Sequence, residues 1–289
     1  MISIIITTYR RNTHLRKAIE SVLEQSVDIE IFVVDGAEED HAREVANEYP
    51  VNYIHDPNPT PQGCRETGFQ ESEGDLIKFL DDDDQIDQGA LPKQADLINT
   101  ETGVVYSGIK YESGDIDLPR DEERGEVLAN ALGLQLHTAQ TSTLLIKREV
   151  LEEIAPLGHR HGADDMGLKI ELARRTKFDF VPEPLILAGE PEESRGVSEA
   201  SISGRAEIIN RYSNLYEQHP DWVQDSALYD LHLRAGRREL DQSVWSASAI
   251  LHFGKAVVYC PDADLSDYGE FLSSLFGSPG RHVASYFNR

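Results

Sequence analysis

Four consecutive carboxylates follow an apolar run in the stretch FLDDDDQ, which covers Phe79 to Gln85. Like charges this close repel one another, so a bound cation would stabilise them. Carboxylate oxygens suit Mg²⁺ or Mn²⁺, which bind through one or two carboxylates together with waters and substrate phosphates. Asp81 and Asp83 would share a face if the strand continues through them, because strand side chains alternate. The run indicates a divalent-metal site, with a solvated acidic turn as the alternative.

Two other acidic motifs can be compared with this run. A calcium-binding EF-hand loop needs glycine at its sixth position, where counting from Asp81 or Asp83 gives Ile86 or Gln88. A phosphohydrolase of the haloacid dehalogenase type would use Asp81 as its nucleophile and needs acids at the end of a later strand. Asp164-Asp165 is the only later pair of adjacent aspartates, and it follows a polar loop and opens a helix. The motifs GxGxxG, GxxxxGK[ST] and GxSxG do not occur in the sequence. Phosphate chemistry would therefore depend on the acids and a metal.

Apolar strands and amphipathic helices alternate four times in about the first 100 residues, which is typical of an α/β fold with a doubly wound parallel sheet. The predicted strands ISIII, IEIFVV and DLIKFL lead into polar clusters at Thr7 to Asn12, Asp35 and Asp81 to Asp84. A helix is predicted from about residue 38 to 48, after the second of these strands. Ligands of such sheets bind beyond the carboxyl ends of the strands, so these clusters should meet at one edge.

The alternation changes after residue 103. Strands are predicted at 103–111 and 142–146 and as two short pieces near 178–181 and 185–187, with a helix at about 165–175. The acidic stretch GEPEESRGVSEAS suggests a linker, and residues 200–289 have apolar residues at helical spacing. We therefore predict a first domain over residues 1–190 and a smaller helical C-terminal region over residues 191–289.

The charge balance restricts the classes of partner. The chain has 52 acidic residues against 27 Lys and Arg, a net charge of −25. Such a surface argues against nucleic acid as a partner. A basic partner or adaptation to a salt-rich cytoplasm would explain the charge, and its spread along the chain favours the second. Only two cysteines occur, no signal peptide is evident, and no run approaches the ~20 apolar residues of a membrane span. A cytoplasmic protein is expected, with peripheral contact at the inner face of a membrane left open.

Five motifs then occur in order over about residues 1 to 190: SIIITTYRR, IEIFVVDG, QGCRETG, GDLIKFLDDDD and GADDMGLKIELAR. Together they resemble the family 2 glycosyltransferases of the GT-A fold, a doubly wound, Rossmann-like mixed sheet. The resemblance implies transfer of a sugar from a nucleoside diphosphate sugar, often UDP-linked, with inversion and with a DxD motif and divalent metal. The acidic composition makes the chain haloarchaeal-like, and such relatives often build glycans on lipid carriers. A glycan or lipid-linked acceptor is therefore expected.

The resemblance also implies roles for individual residues. Asp165 would be the general base, Asp83 and Asp81 would hold the metal, and the nucleotide-sugar would be bound by Thr8, Tyr9, Asp35, Arg65, Asp81 and Asp82. The sequence departs from the usual motifs at Thr7, Arg10 and Glu66, and Arg65 could instead pair with Glu66. His159 and His161 offer only a weak metal motif. A non-catalytic module that binds nucleotide-sugars stays open as a further alternative.

Overall fold

A computed structural model of the chain describes residues 1–57, 60–158, 163–189, 197–260 and 265–278. The predicted domain boundary at residues 190 and 191 lies outside these residues, as do His159 and His161, so these predictions stay untested. The chain divides into two compact units. The first comprises residues 1–128, 136–159 and 168–191, and the second comprises residues 129–135, 160–167 and 192–289.

The first unit is built on a mixed sheet. Its described strands are β1 (Ile2–Thr8), β2 (Ile29–Asp35), β3 (Asn52–His55), β4 (Leu76–Asp81), β5 (Gln85–Ile86), β6 (Thr102–Tyr111), β7 (Ile116–Asp117), β8 (Leu145–Lys147) and β9 (Lys177–Ala188). They lie in the order β3-β2-β1-β4-β8-β6-β9-β5, with β7 paired to β6. The four strands from β3 to β4 are parallel, whereas β8 is antiparallel to both of its neighbours. The predicted GT-A mixed sheet is thus present.

The described helices flank this sheet or form the second unit. They are α1 (Asn12–Leu23), α2 (Arg43–Ala46), α3 (Pro61–Glu71), α4 (Ala90–Ala95), α5 (Leu128–Leu132), α6 (Arg148–Glu152), α7 (Asp164–Ala173), α8 (Glu199–Arg211), α9 (Ser213–Tyr216), α10 (Asp221–Gln242), α11 (Ala247–Tyr259) and α12 (Leu265–Ser274). Two short 3-10 turns cover Asp121–Glu123 and Thr141–Thr143. The C-terminal region is helical, as predicted.

Strand β1 lies in the core of the first unit and is buried along its whole length, as expected of a central parallel strand. On one side, Leu15 and Ile19 of α1 pack with aliphatic residues of β1 and β2. The opposite face of β1 approaches α3 closely at Gly68, where a Cβ atom would lie 2.4 Å from Ile5 Cγ2. The Thr60 side chain accepts a hydrogen bond from the Gly63 amide and so caps α3.

Three predicted elements differ in the structure. Of the strand predicted at 142–146, the first part lies in the 3-10 turn Thr141–Thr143 and only β8 (Leu145–Lys147) is a strand. The helix predicted over residues 38–48 is reduced to α2, because the Asp35 carboxylate binds the amides of Ala37 and Ala42 and holds the intervening segment in a loop. The two short strands predicted near 178–181 and 185–187 form one strand, β9, whose register with β6 shifts near Pro184. Proline lacks the amide that a regular ladder needs, so pairing resumes beyond it.

The second unit is stabilised by a small apolar cluster and a charge cluster. Phe253 of α11 packs close to Gly236 of α10 and joins Leu240 in the apolar cluster. Arg205 of α8 is buried and donates from Nε to Asp230 Oδ2 at 2.6 Å. Arg234 donates to the other oxygen of Asp230 at 2.8 Å. Burial alone would raise the pKa of Asp230, but the two arginines outweigh it and lower that pKa.

Candidate functional site

Three polar strand ends lie side by side at one edge of the sheet. In the parallel register, Thr8 at the end of β1 is opposite Asp35 at the end of β2. On the other side of β1, Thr7 is opposite Asp81 at the end of β4. The predicted convergence of these clusters at one edge is therefore observed, and it follows from the parallel pairing of the three strands.

The four aspartates Asp81 to Asp84 form a tight turn, here called the acidic turn. Strand β4 ends at Asp81, and the Asp84 amide donates to the Asp81 carbonyl oxygen at 3.1 Å. The strand therefore does not continue through Asp83, so alternation along a strand does not place Asp81 and Asp83 on one face. Each of the four carboxylates instead has its own surroundings.

Asp82 is the acid that joins the turn to β1. Its side chain is buried, and its Oδ2 accepts from Thr8 Oγ1 at 2.7 Å and from the Tyr9 amide at 3.4 Å. Burial raises the pKa of Asp82 to about 6, and the Thr8 hydrogen bond opposes that rise. Asp82 thereby fixes the end of β1 relative to the turn, and its contact with a nucleotide-sugar stays a prediction.

Asp81 and Asp83 are more accessible, and each faces an arginine. Arg65 of α3 donates a hydrogen bond from its Nη2 to Asp81 Oδ1 at 2.6 Å. Arg11 forms an ion pair with Asp83, and its Nη1 atom lies 3.6 Å from Asp82 Oδ1. The side chains of Asp81 and Asp83 are 42% and 28% exposed. Arg65 is buried, and its Nε atom has no hydrogen-bond partner among the described residues. The pairing of Arg65 with Asp81 argues against the alternative in which Glu66 is its partner.

Asp35 is fully buried beside this edge. Besides the amides of Ala37 and Ala42, its carboxylate accepts from the Tyr53 hydroxyl at 3.1 Å. Tyr9 lies on the exposed side of the same edge, with the Arg10 guanidinium 5.5 Å from the centre of its ring. Arg10 has a φ of 60°, so the chain turns sharply directly after β1. The predicted contacts of Asp35 and Tyr9 with a nucleotide stay predictions.

As predicted, Asp165 lies in the first turn of a helix, here α7. This turn belongs to the second unit, whereas the sequence placed Asp165 in the first domain. Asp164 is beside it at the helix start, where the amide dipoles stabilise negative charge. Within the same unit, the charge of Asp165 acts on the buried Arg205 of α8. The role of Asp165 as a general base stays a prediction.

The acidic turn meets the chemical requirements of Mg²⁺ or Mn²⁺. Among the described residues, no group of three or more His, Cys, Asp and Glu side chains is arranged to hold a metal by itself. Asp81 and Asp83 are accessible oxygen donors, and such ions commonly take only one or two carboxylates and complete their shell with phosphates and water. Four carboxylates face two guanidinium groups at the turn, and this excess of acid also favours a cation.

Sequence reasoning missed several residues that contact the turn. Arg11 follows Arg10 in TTYRRN, and this basic pair after a buried strand was the available signal. The Ser142 Oγ atom accepts a hydrogen bond from the Asp81 amide at 3.1 Å. The Ser142 side chain also forms a hydrogen bond with the Asp84 carboxylate. Burial and then the charge of Asp81 raise the pKa of Asp84. Nothing in the sequence near Ser142 points to the turn, because β8 joins β4 from about 70 residues away along the chain.

Comparison with known proteins places this site in a family. The sequence model described as Glycosyl transferase family 2 matches residues 3–155, just over half of the chain. The curated relatives include an uncharacterized glycosyltransferase, alr2836, of Nostoc sp., which is 30% identical over 54% of this chain and 53% of its own length. Glycosyltransferase AglE of Haloferax volcanii is 25% identical over 54% of this chain and 55% of its own length. The chain thus spans about half the length of these relatives.

A third relative and two solved structures extend the comparison. A Campylobacter jejuni GalNAc(5)-diNAcBac-PP-undecaprenol beta-1,3-glucosyltransferase is 33% identical over 31% of this chain and 32% of its own length. S. aureus TarS 1-349 in complex with UDP-GlcNAc matches 99% of this chain and 87% of its own, with a TM-score of 0.67 and 16% identity. The Pyrobaculum calidifontis mannosyltransferase PcManGT, in complex with GDP-Man and Mn²⁺, matches 98% and 83%, with a TM-score of 0.61 and 17% identity. These structural likenesses confirm the predicted GT-A fold.

Proposed function

The chain belongs to glycosyl transferase family 2, and from that premise we propose that it transfers a sugar, with inversion, from a nucleoside diphosphate sugar to an acceptor hydroxyl. The observation that carries the proposal is the acidic turn, where two accessible carboxylates lie beside the end of β1, whose other neighbour is the end of β2. Relatives in complexes with UDP-GlcNAc and with GDP-Man and Mn²⁺ support a nucleotide-sugar donor. We propose a UDP-linked donor for this chain.

The donor would bind along this edge of the sheet. The exposed Tyr9 ring offers a surface for the nucleotide, with Thr8 beneath it and Asp35 as an acceptor for the base. A carboxylate has about four acceptor sites, and three are used at Asp35. A hydrogen bond from the base would take the remaining site and would require this fully buried side chain to become accessible. Arg65 approaches the diphosphate, since its fork already points at Asp81 and matches phosphate oxygens equally well.

Asp83 and Asp81 would hold Mg²⁺ or Mn²⁺. When bound, the ion neutralises the negative charge that develops on the leaving nucleoside diphosphate. Asp81 and Asp83 are now paired with Arg65 and Arg11, and the donor phosphates would offer these guanidinium groups alternative partners. Asp82 keeps its bonds to β1 throughout and maintains the shape of the turn.

Asp165 would take the proton from the acceptor hydroxyl. Sugar hydroxyls are weak nucleophiles, so a carboxylate within hydrogen-bond reach accelerates attack on the anomeric carbon. A single displacement needs one such base, on the face opposite the leaving group, and it inverts the anomeric configuration.

A glycan on a lipid carrier is the proposed acceptor, in keeping with the undecaprenol-linked substrate named for the Campylobacter relative. None of the described helices is long and apolar enough to cross a membrane. We propose a cytoplasmic protein that contacts the inner membrane face peripherally. Trp245 and Phe276, 56% and 76% exposed in the second unit, offer apolar contacts. Sedimentation with zwitterionic vesicles should fall when both become serine, and equal sedimentation would contradict this contact.

The decisive experiment is a thermal-shift screen of nucleotides and nucleotide-sugars with and without Mn²⁺ in molar salt. A preferred donor should raise the midpoint by mass action, and Mn²⁺ should increase the effect. No stabilisation by any nucleoside diphosphate would contradict the proposed function.

The Asp165→Asn variant separates chemistry from binding. It should retain UDP and Mn²⁺ binding but lose transfer by 10²-fold or more, the order expected for a general base. Transfer at the wild-type rate would rule out Asp165 as the base, and bound donor without turnover in the wild type would favour the binding-module alternative.

A further inference from the structure

A lysine is completely buried beneath the acidic turn. Lys78 lies in β4, three residues before Asp81, and none of its side chain is exposed. Its ammonium donates to Gln94 Oε1 at 3.4 Å and to the Leu144 carbonyl oxygen at 3.3 Å. A buried ammonium is costly unless it is paired, and these two neutral acceptors compensate only part of that cost.

Gln94 of α4 extends this buried network. It is also fully buried, and its Nε2 donates to the carbonyl oxygens of Thr143 at 2.7 Å and Val105 at 3.2 Å. Lys78 and Gln94 together hold two successive carbonyl groups, those of Thr143 and Leu144. These hydrogen bonds therefore fix the segment between the 3-10 turn and β8.

Ser142, directly before these carbonyls, contacts both ends of the acidic turn. Its hydroxyl oxygen accepts a hydrogen bond from the Asp81 amide, and its hydroxyl group donates a hydrogen bond to the Asp84 carboxylate. The side chain is 3% exposed, so water does not compete for these bonds. Asp84 is held further by the Gly189 amide, and Asp84 is also the acid whose charge acts on Lys78.

We propose that Ser142 is a positioning residue that fixes the acidic turn, and that Lys78 and Gln94 support it through the carbonyls of Thr143 and Leu144. The proposal rests on the proposed function, because it assigns the support for the carboxylates that would face the metal and the donor. Residues that orient metal-binding carboxylates from behind commonly change metal affinity by about 10–100-fold when they are mutated. Burial lowers the pKa of Lys78 to about 7, and the charge of Asp84 opposes that fall.

Calorimetry of UDP binding with and without Mn²⁺ tests the role of Ser142. Ser142→Ala should weaken Mn²⁺-dependent UDP binding by about tenfold or more and change metal-free UDP binding little. Ser142→Thr, which keeps the hydroxyl, should restore most of the binding. Ser107→Ala is the matched control, since Ser107 is an equally buried serine whose hydroxyl donates to Gly108 in β6.

Lys78→Met separates positioning from stability. Methionine fills a similar volume without a buried charge, so its thermal midpoint at pH 7 should be no lower than that of the wild type. Its Mn²⁺-dependent UDP binding should nevertheless fall by several-fold. A variant that loses stability and binding together would show a purely structural lysine and would overturn the role of Lys78.

The outcomes distinguish this proposal from the proposed function. Wild-type protein whose UDP binding does not respond to Mn²⁺ would overturn both. Wild-type protein that responds, together with a Ser142→Ala variant that responds equally, would overturn the positioning role alone. Loss in Ser142→Ala with recovery in Ser142→Thr would support it.

Discussion

The acidic turn shows how identical side chains acquire different roles from their surroundings. Asp82 is buried and bonded to β1, whereas Asp81 and Asp83 are accessible and face arginines. Asp84 is tied to Ser142. Only the two accessible carboxylates can exchange their partners without breaking the core, so they are the ones suited to a cation and phosphates.

The bond between Thr8 and Asp82 can be tested by removing one hydroxyl. Thr8→Val keeps the shape of the side chain but leaves the buried Asp82 without its shortest hydrogen bond. We expect the free energy of unfolding to fall by about 2 kcal/mol at pH 8, where Asp82 is ionised, because bonds to charged groups contribute more than neutral ones. Urea unfolding measures this. Thr7→Val is the control, and an equal loss there would show a general effect of threonine replacement in β1.

At the element scale, the sequence could predict the parallel half of the sheet and not the antiparallel half. Strands β1, β2 and β4 are long apolar runs separated by helices, so the sequence predicts Thr8, Asp35 and Asp81 at one edge. Strand β8 has only three residues and enters between β4 and β6 from a distant part of the chain. The contacts of Ser142, Lys78 and Gln94 depend on the position of β8 between β4 and β6, and no local periodicity of apolar residues predicts that position.

Burial and side-chain competition also lie outside what the sequence alone predicts. The sequence predicts that Asp35 binds a ligand. In the structure its carboxylate also binds the backbone of the loop before α2, which shortens that helix. Arg65 was placed near the donor, but its pairing with Asp81 depends on the angle at which α3 packs on the sheet. Such choices are decided by distances of a few tenths of an ångström, which residue types do not encode.

Helices α10 and α11 meet at a histidine pair that should make the second unit sensitive to acid. The Nδ1 atoms of His232 and His252 are 3.0 Å apart, and the Tyr259 ring is stacked on His232. One Nδ1 must carry the proton and the other must accept it. Burial, then the charges of His252 and Lys255, lowers the pKa of His232 to about 4. Burial and Lys255 also lower the pKa of His252, while Glu239 opposes that change.

The stability of α10 and α11 should therefore fall as the pH is lowered from about 6.5 to 4. In that window the unfolded chain binds protons that the folded pair refuses, so stability is complete above the unfolded pKa of about 6.5. We expect a loss of about 2 kcal/mol, measured by urea unfolding followed through helical circular dichroism. His232→Gln should flatten this dependence, and the exposed His14→Gln should not. An unchanged slope in His232→Gln would contradict the assignment.

At the scale of the whole molecule, net charge sets the solution behaviour. The 52 acidic residues outnumber the 27 basic ones along the whole chain, so self-repulsion acts on both units. The acidic turn differs from this general acidity because a buried strand and a bonded serine fix it in place. Adaptation to a salt-rich cytoplasm stays a prediction from the surface charge, and it concerns the stability of the protein rather than its catalysis.

If the surface is adapted to salt, the midpoint of thermal unfolding should rise with ionic strength. The screening length is about 10 Å at 0.1 M and about 3 Å at 1 M salt, so repulsion between exposed acids should largely vanish over this range. We expect the midpoint to rise by roughly 5 °C or more between 0.1 and 2 M KCl, which corresponds to about 2 kcal/mol. Exposed ion pairs such as Lys93 with Glu183 weaken in salt, but such pairs contribute little to stability.

Uncharged sucrose at equal osmolality separates screening from solute exclusion, because only KCl should give a rise in the midpoint that levels off near 1 M. A midpoint that is flat or falls in KCl would show that repulsion between these acids does not limit stability, and the excess charge would then favour a basic partner.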